Sequence, residues 1–244
     1  MNLAGKTLIN FGGTGGIGFH VAAAFLQAGA NVCIVGRNIQ RIDEKKLELG
    51  NPPNLIGIVA NADNLVDVRN VFAETEKTFG PLDGGVFVGI GEWVITHESS
   101  DTKTLREAEE VMRPTLVTAL GIIAGETARA FNEKDGVLFH VSSHVVHKPE
   151  SKLPGNVIYR KLKIEAEKLL EKYKSKFQIV NLRPSIVSTP KNDATLTEGG
   201  VDQRSKAVDP RDIADWCVQN FINPEIPLVM NFESEVVVGS GVEV

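Results

Sequence analysis

A tyrosine and a lysine lie four residues apart in the segment VIYRKLKIEAEKLLEKYKSK, residues 157–176. Apolar residues recur there at helical spacing, which predicts an amphipathic helix. On that helix the Lys163 ammonium lies one turn from the Tyr159 phenol, on the same face. A phenol so placed can donate a proton, and a neighbouring cation favours the phenolate that remains. Tyrosines among lysines are also ordinary on half-exposed helices, so the pair becomes chemical only beside a cofactor site.

Composition limits the kinds of protein that this chain can be. It has 244 residues, 42% of them hydrophobic, and a net charge of -5 with basic residues dispersed among acidic ones. We therefore expect one domain over residues 1–244 and no nucleic-acid partner. The two cysteines match no metal or redox spacing, and no apolar run is long enough for a signal peptide or a membrane span. We expect buried thiols, no metal, no membrane partner and a cytoplasmic location.

Short apolar runs alternate with amphipathic segments along the chain. The runs are TLINF (7–11), NVCIV (31–35), LIGIV (55–59), GVFVGI (85–90), VLFHV (137–141), QIVNL (178–182) and PLVMNF (227–232). Helices are expected to begin near Gly18, Ile39, Asn64, Leu105, Val157 and Pro210. Strands separated by helices predict right-handed crossovers and a sheet covered on both faces. The expected fold class is α/β, a doubly wound parallel sheet of the Rossmann type with about seven strands and helices on both faces.

A glycine-rich turn, FGGTGGIG at 11–18, follows the first run and precedes a helical segment. In that context glycines let backbone N–H groups approach a pyrophosphate at the helix N-terminus. The spacing fits G-x-G-x-x-G from residue 13, G-x-x-G-x-x-G from residue 12 and G-x-x-x-G-x-G from residue 12, and does not choose among them. We predict a dinucleotide site that includes Gly12, Thr14, Gly15, Gly16, Ile17 and Gly18.

The residues that end the second run indicate which nucleotide binds. A carboxylate there binds the ribose 2′-hydroxyl of NAD, whereas a cation suits the 2′-phosphate of NADP. The sequence has Gly36, Arg37 and Asn38, with no acid. Because an arginine can contact a phosphate through two N–H groups, we predict NADP(H) as the cofactor, with Arg37 and Asn38 among its contacts.

Five motifs, in order along the chain, resemble those of the short-chain dehydrogenase/reductase family. They are the glycine turn, Asp63 in ANAD, VSS at 141–143, YRKLK as a Y-x-x-x-K motif, and RPSIVST after the sixth run. Each motif is weak alone, but their order and spacing together are specific, and they cover nearly the whole chain. Because few residues follow Tyr159, the chain resembles the shorter, single-domain branch.

The resemblance implies a mechanism for the tyrosine and lysine. Tyr159 would protonate a carbonyl oxygen as hydride arrives from nicotinamide, or accept the proton in the reverse direction. Lys163 would favour the phenolate and bind the nicotinamide ribose. Ser143, in preference to Ser142, would hold the substrate oxygen.

The resemblance also implies further cofactor contacts. Asp63 would lie near the adenine, and Thr189 would contact the nicotinamide carboxamide. Gly89 and Ile186 complete the expected set. Residues 185–209, rich in polar and small residues, are expected to form a loop that covers the substrate site.

The chain departs from the family pattern at three places. The family's Asn-Asn-Ala-Gly after the fourth strand is Val-Gly-Ile-Gly at 88–91, and its Pro-Gly after the sixth strand is Pro-Ser at 184–185. A helix asparagine that positions a water linked to the lysine should fall near Pro114 or Thr115, and no asparagine occurs between Asn70 and Asn132. A catalytic triad therefore replaces the family's tetrad.

Four aromatic side chains could face a substrate: Trp93, His97, His144 and His147. They form no metal motif, and histidines on such loops are usually solvated, so we assign them no role.

The expected function is hydride transfer between NADP(H) and a small-molecule carbonyl or alcohol. Two alternatives remain open: a cofactor-binding regulatory or structural protein that kept the fold and lost efficient catalysis, and an epimerase or dehydratase on the same scaffold. The resemblance further implies a homodimer or homotetramer, because the family pairs the helices that follow its fourth and fifth strands. Residues 116–131 are apolar enough to be buried on two sides.

Overall fold

The computed structural model describes residues 1–91, 102–131, 136–147, 154–197, 202–223 and 225–234. Its strands are β1 Thr7–Phe11, β2 Asn31–Gly36, β3 Leu55–Val59, β4 Gly84–Val88, β5 Val137–Val141, β6 Gln178–Pro184 and β7 Val229–Phe232. All neighbouring strands run parallel, in the order β3-β2-β1-β4-β5-β6-β7. The expected doubly wound parallel sheet is confirmed.

Eight α-helices lie in the described ranges. They are α1 Gly16–Gln27, α2 Ile39–Glu48, α3 Leu65–Phe79, α4 Thr102–Arg113, α5 Ala119–Ala130, α6 Pro154–Leu170, α7 Asp193–Leu196 and α8 Pro210–Asn220. A π-helical turn, Pro114–Thr118, joins α4 to α5. Each expected helix start falls within three residues of an observed one, while the π-helical turn and the one-turn α7 were not predicted.

The sheet is buried on both faces because successive side chains of a strand point to opposite sides. Leu8 of β1 packs in one cluster with Phe25 of α1 and Phe221, which directly follows α8. The next residue, Ile9, packs in a second cluster with Phe72 of α3 and Ile123 of α5. All five residues of β1 are buried, which explains why its sequence is apolar nearly throughout.

The expectation of buried thiols is also met. Cys33 in β2 and Cys217 in α8 are fully buried. Burial raises the pKa of the Cys33 thiol to about 12 and raises the pKa of Cys217 as well. Both side chains therefore act as small apolar groups in the core. Among the described residues, no helix has the length and apolar composition needed to cross a membrane.

Residues 185–209 do not form a plain loop. Within the described part of this segment, Val187 and Val208 form an isolated parallel bridge, and α7 lies between them, preceded by a 3₁₀ turn at Pro190–Asn192. Ile186, Val187, Leu196 and Val208 are buried. Each helical piece is a single turn, too short to give a periodic pattern, so the sequence did not reveal it.

Candidate active site

A cleft of about 670 Å³ opens at the carboxyl ends of the central strands. It lies where the strand order reverses between β1 and β4, the position at which open α/β sheets bind ligands. Eleven of the predicted site residues line it: Gly12, Thr14, Gly15, Gly16, Ile17, Arg37, Asp63, Gly89, Ser143, Tyr159 and Thr189. The other four are not among the lining residues: Gly18, Asn38, Lys163 and Ile186.

The glycine turn is held by two close approaches of backbone. Gly12 has φ +97°, and a Cβ there would lie 2.9 Å from the carbonyl oxygen of Gly89. Gly16, which begins α1, has φ +50°. A Cβ on Gly18 would overlap the carbonyl oxygen of Gly12, whereas one on Gly15 would meet only an arginine side chain. Gly12, Gly16 and Gly18 therefore need to be glycine and Gly15 does not, which favours the G-x-x-x-G-x-G fingerprint. Gly18 is needed for the close packing of α1 against the turn.

A polar residue inside the first strand supports this turn. Asn10 is fully buried, and its Nδ2 donates a hydrogen bond to the carbonyl oxygen of Gly18 at 2.7 Å. This bond ties the end of β1 to the first turn of α1. Asn10 was not predicted as a site residue, although a lone asparagine within the apolar run TLINF is a visible signal.

Three basic residues gather at one end of the cleft. Arg37 follows β2, and Arg41 and Lys45 follow at intervals of four residues on α2, so all three line this end. Lys45 also pairs with Glu48 at 2.5 Å. Only Arg37 was predicted, although the four-residue spacing could have revealed the other two. The cluster is suited to a phosphate group.

Asn38 has a different position from the one predicted. Its Oδ1 accepts a hydrogen bond from the backbone N–H of Arg41 at 3.0 Å, so the side chain caps α2. Asparagine is among the preferred N-cap residues because it satisfies an N–H that the helix leaves unpaired. Asn38 thus orients the helix that carries the basic residues. Ile186 is likewise engaged outside the cleft, where its carbonyl oxygen accepts from the Val208 N–H at 2.9 Å.

The catalytic candidates meet where β5 ends against α6. Ser143 and Tyr159 line the cleft and are joined by a hydrogen bond between their side chains. Lys163 is 3% exposed, and its Nζ donates to the carbonyl oxygen of Val141 at 2.7 Å. The same Nζ lies 5.6 Å from the centre of the Tyr159 ring. The four-residue spacing thus correctly predicted that Lys163 lies near Tyr159. The Lys163 ammonium, however, is hydrogen-bonded to the last residue of β5.

Burial dominates the electrostatics of this pair. It raises the pKa of Tyr159 to about 12, and the hydrogen bond with Ser143 opposes the rise. Burial also lowers the pKa of Lys163 to about 7, while the negative charge of Glu167 raises it and the positive charge of Lys191 lowers it. That Lys163 lowers the pKa of the phenol stays a prediction, because in this structure burial is the largest influence on Tyr159.

Ser142 and Ser143 have separate partners. The Ser142 hydroxyl donates to Oε1 of Glu167 at 2.6 Å, and Glu167 also forms an ion pair with Arg183. The Ser143 hydroxyl is the one that reaches Tyr159. This arrangement favours Ser143 as the residue that holds a substrate oxygen, as the resemblance implied.

The position expected for the missing asparagine lies in the π-helical turn. Thr115 lines the cleft there, and its hydroxyl donates to the carbonyl oxygen of Met112 at 3.2 Å. π-helical turns are rare and frequent at functional sites. At one of the two positions where the resemblance places an asparagine, the chain therefore has a hydroxyl that is bonded to its own helix.

Two of the aromatic residues without an assigned role, His144 and His147, lie in the described part of the chain. His144 and His147 approach the Glu233 carboxylate at 3.9 and 3.8 Å and are not among the cleft-lining residues. Trp93 and His97 lie outside the described residues.

A doubly wound sheet with a glycine turn at its switch point defines a nucleotide-binding protein of the Rossmann class. The family model described as short chain dehydrogenase matches residues 6–194. The chain belongs to the short chain dehydrogenase family.

Individual relatives match in different proportions. A short chain dehydrogenase/reductase from Colletotrichum higginsianum is 43% identical over 82 residues, which are 33% of this chain and 31% of that protein. The matched part likewise spans 30% of a relative from Gibberella zeae and 35% of one from Macrophomina phaseolina. Farnesol dehydrogenase from Aedes aegypti is 25% identical over 209 residues, covering 81% of this chain and 83% of that protein.

Solved structures share the fold over nearly the whole chain. A 3-ketoacyl-(acyl-carrier-protein) reductase from Brucella melitensis, complexed with NADH, has a TM-score of 0.76 at 19% identity and covers 95% of this chain and 97% of its own. A short-chain dehydrogenase/reductase of unknown function from Caenorhabditis elegans, with cofactor, has a TM-score of 0.78 at 18% identity, covering 95% and 94%. These likenesses support the architecture described above.

Proposed function

We propose that this protein is an oxidoreductase that transfers hydride between NADP(H) and a small-molecule carbonyl or alcohol. The observation that carries the proposal is the position of Tyr159 and Ser143, joined to each other, in the same cleft as the glycine turn. A cofactor bound across the switch point would bring its reactive end to the phenol. Membership in the short chain dehydrogenase family supports this reading.

The cleft fits two parts of such a cofactor. The glycine turn leaves no room for side chains at Gly12 and Gly18, so backbone N–H groups and the start of α1 can approach the central pyrophosphate. Beside this turn, the basic cluster of Arg37, Arg41 and Lys45 suits a 2′-phosphate on the adenosine. The absence of a carboxylate at residues 36–38 supports NADP(H) over NAD(H).

The residues around the phenol suit proton donation. When bound, NADPH supplies the hydride. Ser143 holds the substrate oxygen by a hydrogen bond, and Tyr159 gives that oxygen its proton. Because the pKa of Tyr159 is raised to about 12, the phenol is protonated at neutral pH. The phenol can therefore act as the acid when a carbonyl is reduced, and the phenolate left behind is the base that the reverse reaction needs.

Turnover of a carbonyl panel tests the proposal. NADPH consumption is measured with short aldehydes and ketones, and also with an isoprenoid aldehyde and a 3-ketoacyl thioester, which correspond to the names of two relatives. The variant Tyr159→Phe should lose roughly 10²–10⁴-fold in turnover while keeping its NADPH affinity, because the phenol acts on the substrate oxygen. Tyr173→Phe, on the same segment but away from the cleft, is the matched control.

Unchanged turnover in Tyr159→Phe on a verified substrate would refute this mechanism. A second candidate function is a cofactor-binding protein with weak catalysis. The hydroxyl of Thr115 in place of an amide and the turn of Lys163 onto Val141 favour it. NADPH binding without turnover across the whole panel would support this second candidate.

A further inference from the structure

Glu167 lies two turns along α6 from Tyr159 and has no part in the proposed function. Its Oε1 accepts hydrogen bonds from the Ser142 hydroxyl at 2.6 Å and from Nε of Arg183 at 2.9 Å, and its Oε2 accepts from Nη2 of Arg183 at 2.5 Å. The Glu167 and Arg183 side chains are 12% and 19% exposed. A bidentate pair with so little contact with water holds both side chains in one orientation.

Ser142, which this carboxylate holds, stands between two contacts of the site. On one side of it, the carbonyl oxygen of Val141 accepts the hydrogen bond from Lys163 at 2.7 Å. On the other side, the Ser143 hydroxyl bonds to Tyr159. A displacement of Ser142 would therefore move the partners of both catalytic side chains.

The same carboxylate joins three elements at the cleft. Glu167 belongs to α6, Ser142 directly follows β5, and Arg183 belongs to β6. Pro184 and Ser185, the residues after Arg183, line the cleft. The backbone N–H of Ser142 also donates to the carbonyl oxygen of Leu182 at 2.7 Å, so the ends of the two strands are fixed to each other and to the helix.

Charged and titratable groups approach Lys163 from each neighbouring element. On α6, the negative charge of Glu167 raises its pKa, and from the segment after β6 the positive charge of Lys191 lowers it. His140 on β5 is neutral, because burial and Lys163 lower its pKa to about 3. The Tyr159 phenol is neutral as well. Burial, the largest effect, leaves the pKa of Lys163 at about 7, and the Glu167 carboxylate that raises it is paired with Arg183 of β6.

We propose that Glu167 is a positioning residue of the active site, which fixes the Ser142 segment through its hydrogen bonds and keeps Lys163 charged through its negative charge. This inference rests on the proposed function for its effect on turnover, but the two structural effects can be measured without any substrate.

A titration of Lys163 by NMR tests the charge effect directly. Lysine labelled with ¹³C at the ε position is followed with pH in the full chain, and Lys163→Met identifies the resonance. In Glu167→Gln the midpoint should fall by about one pH unit, because removal of an opposite charge favours the neutral amine. Glu171→Gln, the same change one turn further on at an exposed residue that pairs with Lys174, should leave the midpoint unchanged.

Turnover separates the charge effect from the positional effect. A midpoint lower by one unit reduces the charged fraction of Lys163 about fivefold at pH 7 and about twofold at pH 6. The activity of Glu167→Gln should therefore fall more at pH 7 than at pH 6. Ser142→Ala removes the hydrogen bond and keeps the charge, so its activity should fall by the same factor at both pH values.

Glu167→Gln leaves the charge of Arg183 buried without its partner, which could unfold the protein. The double variant Glu167→Gln/Arg183→Gln removes this unpaired charge and is measured alongside. Its midpoint should fall by less than in the single variant, because the double variant also removes the positive charge of Arg183. An unchanged Lys163 midpoint in the folded variants, or an equal fall in Glu171→Gln, would overturn the inference. A shifted midpoint in a protein that binds NADPH but reduces no carbonyl would uphold the role of Glu167 and refute the proposed activity alone.

Discussion

At the scale of single residues, sequence spacing located the reactive groups but not their environment. Tyr159 and Lys163 lie on one face of α6 as their four-residue interval predicts. Their pKa values depend on burial, which a local pattern does not give. Asn10 and Glu167 were missed for a related reason, because the partner of a buried polar side chain lies elsewhere in the fold and only the tertiary structure shows it.

We propose that the basic cluster of Arg37, Arg41 and Lys45, which follows β2, sets the cofactor preference. We expect NADPH to bind at least roughly tenfold more tightly than NADH, because a hydrogen bond to a charged phosphate contributes about 1.5–3 kcal/mol. Arg37→Asp should reverse the preference through lost pairing and new repulsion. Fluorescence titration with both cofactors measures this, with Lys77→Asp as a control of equal charge change on the exposed surface of α3. Equal affinity of the unmodified protein for the two cofactors would contradict the prediction.

At the scale of secondary-structure elements, strands and long helices were predictable and single turns were not. The strands are apolar because both of their faces are covered, so their positions were readable within a few residues. The π-helical turn at Pro114–Thr118 continues the helical pattern on both sides and leaves no break in periodicity. The short helical turns between Val187 and Val208 are stabilised by a β-bridge and by tertiary contacts. These contacts join residues that are far apart in the sequence, so a local sequence pattern does not reveal them.

In the turn between β1 and α1, the close approach of the Gly12 backbone to Gly89 can be tested by mutation. Gly12→Ala should weaken NADPH binding more than roughly tenfold, because the residue is at φ +97° and its Cβ would meet the Gly89 carbonyl. Gly50→Ala is a matched control, since Gly50 is at φ +80° with open space around it. We expect Gly50→Ala to lose about 1–2 kcal/mol of unfolding free energy. Gly12→Ala should lose at least as much because of the added contact with the Gly89 carbonyl, and only Gly12→Ala should lose affinity. Calorimetry and cofactor titration separate the two effects, and equal affinity loss in both would refute a specific role for Gly12.

At the scale of the whole molecule, buried bases couple folding to pH. His140 is buried, and its pKa falls from the ordinary 6.5 to about 3. Between these values the unfolded chain binds a proton that the folded chain does not, so stability falls as the pH falls from 6.5 towards 3. From pH 6.5 to pH 4 this residue should remove about 3 kcal/mol of unfolding free energy.

The variant His140→Asn isolates this effect from the carboxylates that titrate in the same range. Its unfolding free energy, measured by denaturant titration at pH 6.5 and pH 4, should depend less on pH than that of the unmodified protein. His147→Asn, at a side chain that is 39% exposed, should keep the full dependence. An identical pH dependence in all three proteins would show that His140 does not couple folding to protons.

Assembly of the molecule stays a prediction from the family resemblance. We expect a homodimer or homotetramer formed through the helices that follow β4 and β5, which are α4 with α5 and then α6. On α5, Ile122 is only partly buried within its own chain. Light scattering at micromolar concentration should show the oligomer, and Ile122→Glu should shift it towards the monomer. Val66→Glu, at a residue that is 72% exposed on α3, serves as the control. A monomer in the unmodified protein would refute the prediction.

The strand order has a consequence for the way in which the chain reaches its native state. β1 is an inner strand of the sheet, β2 and β3 add to one side of it, and β4, β5, β6 and β7 add in succession to the other. Each strand therefore pairs with an edge that an earlier strand already presents. During synthesis, which delivers the N-terminal part first, the sheet can grow outward from β1 as each later strand is delivered. Of all the neighbouring strands in the sheet, β1 and β4 lie farthest apart in the sequence. We therefore expect the pairing of β4 with β1 to limit the rate of folding.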